Sequence, residues 1–419
     1  MGRQSTEGGR CVGADVVVTG MGALSPLGGD VDSLWQGLLA GRSGIRRIDD
    51  LLPPGVLDEL PVRIGATMAV PPDTQLTRVQ ARRMDRCEQA AVVAARQAWA
   101  DAGAPEVDTE RLAVVIGTGI GGVSTLLAQD DLLEEKGPGK VSPLTVPMLM
   151  PNGPAAWVSI EFGAHAGVYT PVSACASGAE AIALGARLIR LGEADVVIAG
   201  GSEAAITPLT LAGFAQARTL SKRNDEPERA SRPFDTDRDG FVMGEGAGIV
   251  ILERAEHAAA RGARVHGRLA GVGITSDAYH ITGPDPSGAG QVRAIRRAVA
   301  DAGLQPSDVA HVNCHATSTV VGDAGEAAAI RQALGGDVVL TAPKSALGHL
   351  VGAAGAVESI VTLLSVTQGV VPATLNLEHK DPDVTLDVVT GEPRRLAMTA
   401  AVCNSFGFGG LNVSLLFTA

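Results

Sequence analysis

Cys175 lies in a segment whose composition favours a nucleophilic thiol, Thr170-Pro-Val-Ser-Ala-Cys-Ala-Ser-Gly-Ala-Glu180. The apolar run at 167–173 predicts a strand, and the alanine-rich run at 176–191 predicts a helix. The thiol would therefore lie beside a helix N-terminus, where unpaired backbone N–H groups and the helix dipole favour a thiolate. A small residue suited to a tight corner is the alternative interpretation of Cys175.

Two of the eight histidines lie at similar corners of the predicted structure. His315 follows a short apolar run, and His349 lies at the mouth of a predicted helix in a segment that also holds Lys344. A lone histidine is usually a surface or core residue. Two histidines at such corners, together with a poised cysteine, indicate an assembled site.

Composition limits the class of protein. Hydrophobic residues at 45%, 53 glycines and charged residues at 19% fit a packed α/β enzyme and argue against disorder. A net charge of −12 argues against non-specific binding of nucleic acid. Five cysteines without framework spacing predict free thiols in a reducing cytoplasm. Since the sequence contains no CxxC pair and no HExxH motif, we expect no metal site.

The sequence also lacks an uncharged apolar run of 18 residues, so no membrane span is expected. Residues 1–13 are polar and glycine-rich, without the apolar core of a signal peptide, and are expected to form a flexible tail. Both observations favour cytoplasmic localisation.

Strands and helices are predicted to alternate along the chain. The predicted strands are 14–19, 112–116, 167–173, 194–200, 247–253, 265–274 and 309–314, with a hairpin of 400–404 and 413–417. The predicted helices are 82–102, 123–135, 176–191, 290–302 and 352–366. Residues 142–154 are expected to be irregular and 219–235 to form a surface loop. This alternation predicts an α/β fold with a largely parallel or mixed sheet covered by helices.

Several long motifs occur in an order that resembles the β-ketoacyl-acyl carrier protein synthase II family, the elongating condensing enzymes of the thiolase superfamily. They are the segments 17–25, 116–122, 231–235, 238–248 and 403–410, besides those around the cysteine and the histidines. Residues 225–234 and 342–348 resemble actinobacterial members, including the mycolate-type branch. The resemblance implies a five-layered αβαβα sandwich of two similar halves, 14–260 with the nucleophile and 261–419 with the histidines.

The resemblance implies a decarboxylative Claisen condensation. Cys175 would hold the growing acyl chain as a thioester, while His315 and His349 stabilise the enolate left when malonyl-acyl carrier protein loses carbon dioxide. Backbone N–H groups of Cys175 and Phe408 would form the oxyanion hole. Lys344 would have an electrostatic role and pair with Glu358, with an ordinary surface pair as the alternative. The product would be a β-ketoacyl carrier protein in fatty-acid-type elongation.

Further residues take supporting roles by the same resemblance. Phe408 would gate the acyl pocket, which Ile120 and Phe214 would line, and Thr317 and Thr319 would bind the pantetheine arm. Glu245 and Asn404 are expected to support the site through hydrogen bonds. Arg82, Arg83 and Arg218 would dock the acidic carrier protein, with a solvated helix face as the alternative.

The resemblance implies a homodimer, with a heterodimer of related subunits as the alternative. No cofactor would be bound, since substrates travel on the phosphopantetheine of the carrier protein. Polyketide or polyene ketosynthases are the second functional hypothesis. A chain-length-factor-like subunit fits poorly, because such subunits usually lack the nucleophilic cysteine present here as Cys175.

Two features depart from these expectations or compete with them. Ala316 follows His315 where relatives usually have glycine, and residues 318–323 lack a frequent proline, so the substrate profile is left open. The segment 117–122 matches G-x-G-x-x-G, the mark of a dinucleotide site and hence of a nicotinamide oxidoreductase. Because Asp130 and Asp131 lie inside the following predicted helix, not at a second strand's end, we interpret the segment as a tight turn.

Overall fold

The computed structural model describes residues 14–49 and 55–419. The predicted tail, 1–13, and Cys11 lie outside the described residues. The strands are β1 (Val16–Leu24), β2 (Arg46–Arg47), β3 (Ile64–Gly65), β4 (Leu112–Gly117), β5 (Gly167–Tyr169), β6 (Val196–Glu203), β7 (Gly246–Arg254), β8 (Gly267–Ser276), β9 (Val309–Asn313), β10 (Val339–Thr341), β11 (Val370–Val371), β12 (Asp387–Val388), β13 (Arg394–Arg395), β14 (Ala400–Gly407) and β15 (Leu411–Thr418). The α-helices are α1 (Val31–Leu39), α2 (Val56–Glu59), α3 (Arg78–Ala81), α4 (Arg86–Asp101), α5 (Val123–Lys136), α6 (Thr145–Leu149), α7 (Gly153–Phe162), α8 (Ser177–Arg190), α9 (Pro208–Gln216), α10 (Ala255–Ala260), α11 (Ala289–Asp301), α12 (Val320–Leu334), α13 (Lys344–Leu347) and α14 (Ala354–Gln368).

A mixed sheet runs through the described part of the chain, in the strand order β12-β10-β9-β14-β15-β8-β1-β7-β6-β4-β5. Within it β4 is parallel to β5 and β6, and β9 is parallel to β10 and β14. The β1–β7, β6–β7, β8–β15 and β14–β15 pairs are antiparallel. The strands of 14–260 meet those of 261–419 at the β1–β8 junction, where Val17 pairs with Arg268 and Val18 with Gly267.

Helices cover both faces of each set of strands, because each strand set is apolar on both sides. Helices α4 and α7 pack on the outer face of the N-terminal strands. Helices α8 and α14 contact each other and lie between the two strand sets, in the central apolar cluster. Helices α11 and α12 pack outside the C-terminal strands. This order gives the predicted five-layered αβαβα sandwich.

Several element boundaries differ from the prediction. Helix α4 begins at Arg86 and not at 82, because Asp85 caps it by accepting a hydrogen bond from the Cys87 N–H at 3.0 Å. Residues 142–154 are not wholly irregular, since they contain α6 and the first turn of α7, where Pro154 is tolerated. Residues 219–235 are not simply a surface loop, since Phe234 is fully buried.

The helical stretch Val351–Gln368 is long and apolar enough to cross a membrane, and no other stretch of the described residues is. It contains Glu358, and 89% of it is buried inside the protein. Its apolar character is therefore that of the central helix of a packed core.

Candidate active site

Cys175 lies at the predicted corner. It sits in a single 3₁₀ turn, Ala174–Ala176, that leads directly into α8. Ala174, the residue before it, has a φ of +51°, a left-handed conformation that is strained for a residue with a Cβ. Cys175 as a residue is 9% exposed. The backbone thus turns sharply to place the sulfur at the N-terminal end of a buried helix.

The structure brings the three predicted residues together. The Sγ atom of Cys175 and one ring nitrogen each of His315 and His349 all lie within 4.8 Å of one another. The two imidazole rings are 5.3 Å apart between centroids at an interplanar angle of 85°. His315 follows β9, while His349 follows α13, so residues distant in sequence meet at one point.

Burial sets the protonation of all three groups. It raises the pKa of Cys175 to about 11, although N–H groups of Phe408 and Cys175 and the charge of Lys344 oppose the rise. The expectation that the helix N-terminus favours a thiolate was therefore wrong for this state, because desolvation outweighs it. Burial, with Lys344 as the next cause, holds the pKa values of His315 and His349 well below 6.5, so both rings are neutral.

Neutral imidazoles with free nitrogens are suited to bind a ligand. Neither ring nitrogen of His349, nor Nδ1 of His315, has a hydrogen-bond partner in the described part of the chain. A neutral imidazole carries one N–H donor and one acceptor nitrogen. The pair can therefore donate two hydrogen bonds to one oxygen atom placed between the rings and the sulfur.

The turn after β14 closes over the cysteine. Backbone N–H groups of Phe408 and Cys175 both lower the pKa of the thiol, so the two predicted oxyanion donors act on the sulfur. A Cβ atom on Gly407 would lie 2.7 Å from the Ser173 carbonyl oxygen and 3.2 Å from the Cys175 nitrogen. Glycine is therefore required for this close approach of two backbones.

Lys344 and Glu358 form a buried ion pair. Lys344 Nζ donates to both carboxylate oxygens of Glu358, at 2.6 and 2.8 Å, and the side chains are 1% and 2% exposed. The alternative of a surface pair was therefore wrong. Burial raises the pKa of Glu358 to about 7, with the lysine charge opposing it.

Two buried carboxylates that the sequence interpretation missed hold the backbone of the site. Glu326 of α12 accepts from the N–H groups of His315 at 2.8 Å and Ala316 at 2.7 Å, and from Asn404 Nδ2 at 3.1 Å. Asn404 therefore supports the histidine loop through this carboxylate. The available signal was an acidic residue in an alanine-rich helix directly after the histidine motif.

Glu203, at the end of β6, is the other carboxylate. It accepts from the N–H groups of Gly119 at 2.7 Å and Gly352 at 3.1 Å, and from Thr118 Oγ1 at 3.0 Å. Burial raises its pKa to about 7. A carboxylate thus occupies donors that a phosphate would need, so the 117–122 segment is a tight turn and not a dinucleotide site.

A cavity of about 350 Å³ contains the cysteine and both histidines. Its apolar lining includes Ile120 and Phe214, and the Phe214 ring lies 6.4 Å from that of Phe408. Its polar lining includes Thr317 and Thr319, whose hydroxyl oxygens are 3.1 Å apart. Every residue predicted for the acyl pocket, the gate or the pantetheine arm therefore lines this cavity.

Seven predicted residues do not line the cavity. They are Lys344, Glu358 and Asn404, whose contacts are given above, and Glu245, Arg82, Arg83 and Arg218. Glu245 is buried and pairs with Arg86 at 3.1 Å, without lining the cavity. Arg82, Arg83 and Arg218 are exposed and also do not line it.

Comparison with known families decides the identity. The model of the β-ketoacyl synthase N-terminal domain matches residues 14–258, and that of the C-terminal domain matches residues 266–378. The chain belongs to the β-ketoacyl synthase family. It is thus an acyltransferase of the condensing type, and the predicted family and enzyme class are confirmed.

Relatives of this β-ketoacyl synthase cover nearly its whole length. A 3-oxoacyl-[acyl-carrier-protein] synthase 2 of Mycobacterium tuberculosis is 52% identical over 96% of each chain, and one of Synechocystis is 46% identical over 96% of this chain and 97% of the relative. Among solved structures, a β-ketoacyl synthase from Burkholderia phymatum has a TM-score of 0.89 at 35% identity, covering 97% and 99% of the two chains. The ishigamide ketosynthase/chain length factor has a TM-score of 0.90 at 32% identity, covering 97% and 100%. The predicted thiolase-like fold is confirmed, and these relatives support fatty-acid-type elongation.

Proposed function

We propose that this β-ketoacyl synthase joins an acyl group held on Cys175 to a malonyl group carried by an acyl carrier protein. The observation that carries the proposal is the convergence of Cys175 Sγ with one nitrogen each of His315 and His349 within 4.8 Å. The product is a β-ketoacyl carrier protein, made in the cytoplasm without a bound cofactor.

In the first half-reaction, Cys175 sulfur attacks the acyl thioester of a carrier. Because the thiol is protonated at neutral pH, its proton moves to a neighbouring neutral imidazole as the carbon–sulfur bond forms. The N–H groups of Cys175 and Phe408 bind the oxyanion. The carrier thiolate leaves and takes up the proton, which restores the neutral ring.

In the second half-reaction, His315 and His349 each donate an N–H to the thioester oxygen of malonyl carrier. Carbon dioxide leaves, and the bond's electron pair remains as an enolate stabilised by both donors. The enolate carbon attacks the Cys175 thioester, and the Cys175 sulfur departs as a thiolate, which takes a proton from water to restore the thiol. Burial and, after it, the Lys344 charge keep both rings neutral.

Two protein partners fit the described surface. The exposed Arg82, Arg83 and Arg218 suit an acidic carrier protein. A second copy of the chain suits β5, which is an edge strand and exposes Val168 at 42% and Tyr169 at 38%. An uncovered apolar edge strand favours pairing with another strand, so we propose a homodimer through β5.

A polyketide ketosynthase is the second candidate function. Its support is a solved structure in which a type II polyketide synthase acyl carrier protein is in complex with its ketosynthase. A chain of that structure matches this one at a TM-score of 0.89 and 30% identity. The 46–52% identity to 3-oxoacyl carrier protein synthases favours fatty-acid-type elongation over it.

Intact-mass analysis tests the proposal. Purified protein and a Cys175→Ala variant are incubated with acyl carrier proteins bearing short, long and polyene chains. We expect an acyl adduct on the unaltered protein alone, and the chain that loads fastest identifies the substrate. Absence of any adduct on folded protein would contradict the proposal. Because cysteine and histidine also bind zinc, a parallel sample treated with EDTA is expected to load equally well.

A further inference from the structure

Gln291 carries an acceptor atom that nothing in the described protein satisfies. The side chain is 5% exposed and lines the cavity, and its Oε1 atom has no hydrogen-bond partner. Within the described residues, the cavity wall holds such buried, unpartnered polar atoms on three side chains, those of Gln291, His315 and His349. The proposed reaction uses both histidines but leaves Gln291 without a role.

The position of Gln291 makes its polarity unusual. Helix α11 buries Gln291, Ile295 and Ala298 at helical spacing, and the helix packs on β8, β15 and α12. A residue in this row would ordinarily be apolar. A carbonyl oxygen buried there without a donor costs free energy, so a donor supplied by a ligand would recover it.

Neighbouring polar groups cannot supply the donor. The side-chain nitrogen of Asn412 already donates to Asp277 Oδ1 at 2.7 Å and to the Gly410 carbonyl at 3.2 Å. The Glu326 carboxylate only accepts, and three N–H groups occupy it. The acceptor of Gln291 is therefore unpartnered, and because the oxygen itself is buried, it meets a molecule in the cavity when the side-chain amide turns about its terminal bond.

We propose that Gln291 Oε1 accepts a hydrogen bond from a secondary amide N–H of the pantetheine arm, and so positions the thioester. This inference rests on the proposed function, since it takes the arm from the carrier-borne substrate. Gln291 lines the same cavity as the hydroxyl side chains of Thr317 and Thr319, and as the apolar side chains of Ile120 and Phe214, which suit an acyl chain. The arm carries two amides, and an amide N–H that leaves water needs an acceptor.

Binding of unreactive ligands to the full chain tests the inference. We would measure the dissociation constants of S-propyl pantetheine, a thioether that cannot acylate Cys175, and of two analogues in which an ester oxygen replaces one amide N–H or the other. The proteins are the unaltered chain, Gln291→Met, which keeps the length but removes the acceptor, and Gln291→Glu, which keeps an acceptor oxygen. Gln332→Met, at an exposed position of α12, is the matched control.

We expect the unaltered chain and Gln332→Met to bind the amide ligand about tenfold more tightly than one of the esters. Gln291→Met should bind the amide ligand and that ester with equal affinity. Gln291→Glu should still bind the amide ligand more tightly than the ester. If Gln291→Met, folded by its melting temperature, discriminates as the unaltered chain does, the inference is overturned. Since the ligands do not react, binding is measured independently of acylation. Failure of Cys175 to take up an acyl group would contradict the proposed function, and the dissociation constants would still test the role of Gln291.

Discussion

The two halves of the chain contribute different chemistry to one cavity. Residues 14–260 supply the sulfur of Cys175 and apolar lining such as Ile120 and Phe214. Residues 261–419 supply both histidines and the hydroxyl groups of Thr317 and Thr319. The nucleophile and the two histidines thus come from different halves of the chain. It follows that the partial reactions should be separable by substitutions in one half or the other.

Substitution of Cys175 should give the largest effect. Cys175→Ala is expected to lower condensation by at least about 10⁴-fold, because the nucleophile is removed. Decarboxylation of malonyl carrier should continue, since His315 and His349 stay in place. Release of carbon dioxide and formation of β-ketoacyl product are measured in parallel. Loss of both activities in a folded variant would contradict the division between halves.

The converse substitution lies in the C-terminal half. His349→Ala is expected to slow decarboxylation about 10²- to 10³-fold, the usual loss for one donor to a developing oxyanion. Acylation of Cys175, followed by intact mass, should change far less, because His315 remains to accept the proton. The exposed His280 provides the control, and His280→Ala should leave both steps unchanged. Equal loss in both steps would argue against separate roles.

The buried ion pair should matter for stability as well as for chemistry. Lys344→Met leaves the Glu358 carboxylate buried without its partner, which costs about 3–5 kcal/mol of unfolding free energy. The pair Arg96–Glu161, with side chains 33% and 30% exposed, is the control, and Arg96→Ala should cost less than about 1 kcal/mol. Denaturant unfolding compares the two. Similar losses of unfolding free energy in the two variants would mean that burial of the Lys344–Glu358 pair does not increase the cost of removing one partner.

The smallest effects should appear in the pH dependence of stability. Burial holds the folded-state pKa values of His315 and His349 below 6.5, so the unfolded chain protonates first and stability falls as pH drops below about 6.5. Burial raises the folded-state pKa of Glu203 from 4.5 to about 7. The contribution of Glu203 to the free energy of unfolding therefore falls as the pH rises from about 4.5 to 7.

The free energy of unfolding should be measured from pH 5 to 8. Glu203→Gln should reduce the stability lost as the pH rises by about 1–3 kcal/mol, and should not change the stability lost as the pH falls. An unchanged loss of stability as the pH rises would show that Glu203 titrates normally.

Residue chemistry that is local in sequence was predictable. Cys175, His315 and His349 lie in short motifs at element ends, and the alternation of strands and helices was enough for the layered fold. Glu203 and Glu326 were missed, because each carboxylate acts through hydrogen bonds to backbone groups of other elements. The raised pKa of Cys175 was missed for a similar reason, since it comes from burial, which depends on tertiary packing and not on the local motif.

The central position of β1 in the sheet has a consequence for biosynthesis. Its Thr19 hydroxyl donates to Glu253 on β7, 234 positions further along the chain. At synthesis rates of about 5–20 residues per second, the ribosome needs roughly 10–50 s to make that intervening stretch. During this time Val16, Val17 and Val18 have no strand on either side. Nascent chains of this protein should therefore occupy a ribosome-associated chaperone until β7 and β8 emerge.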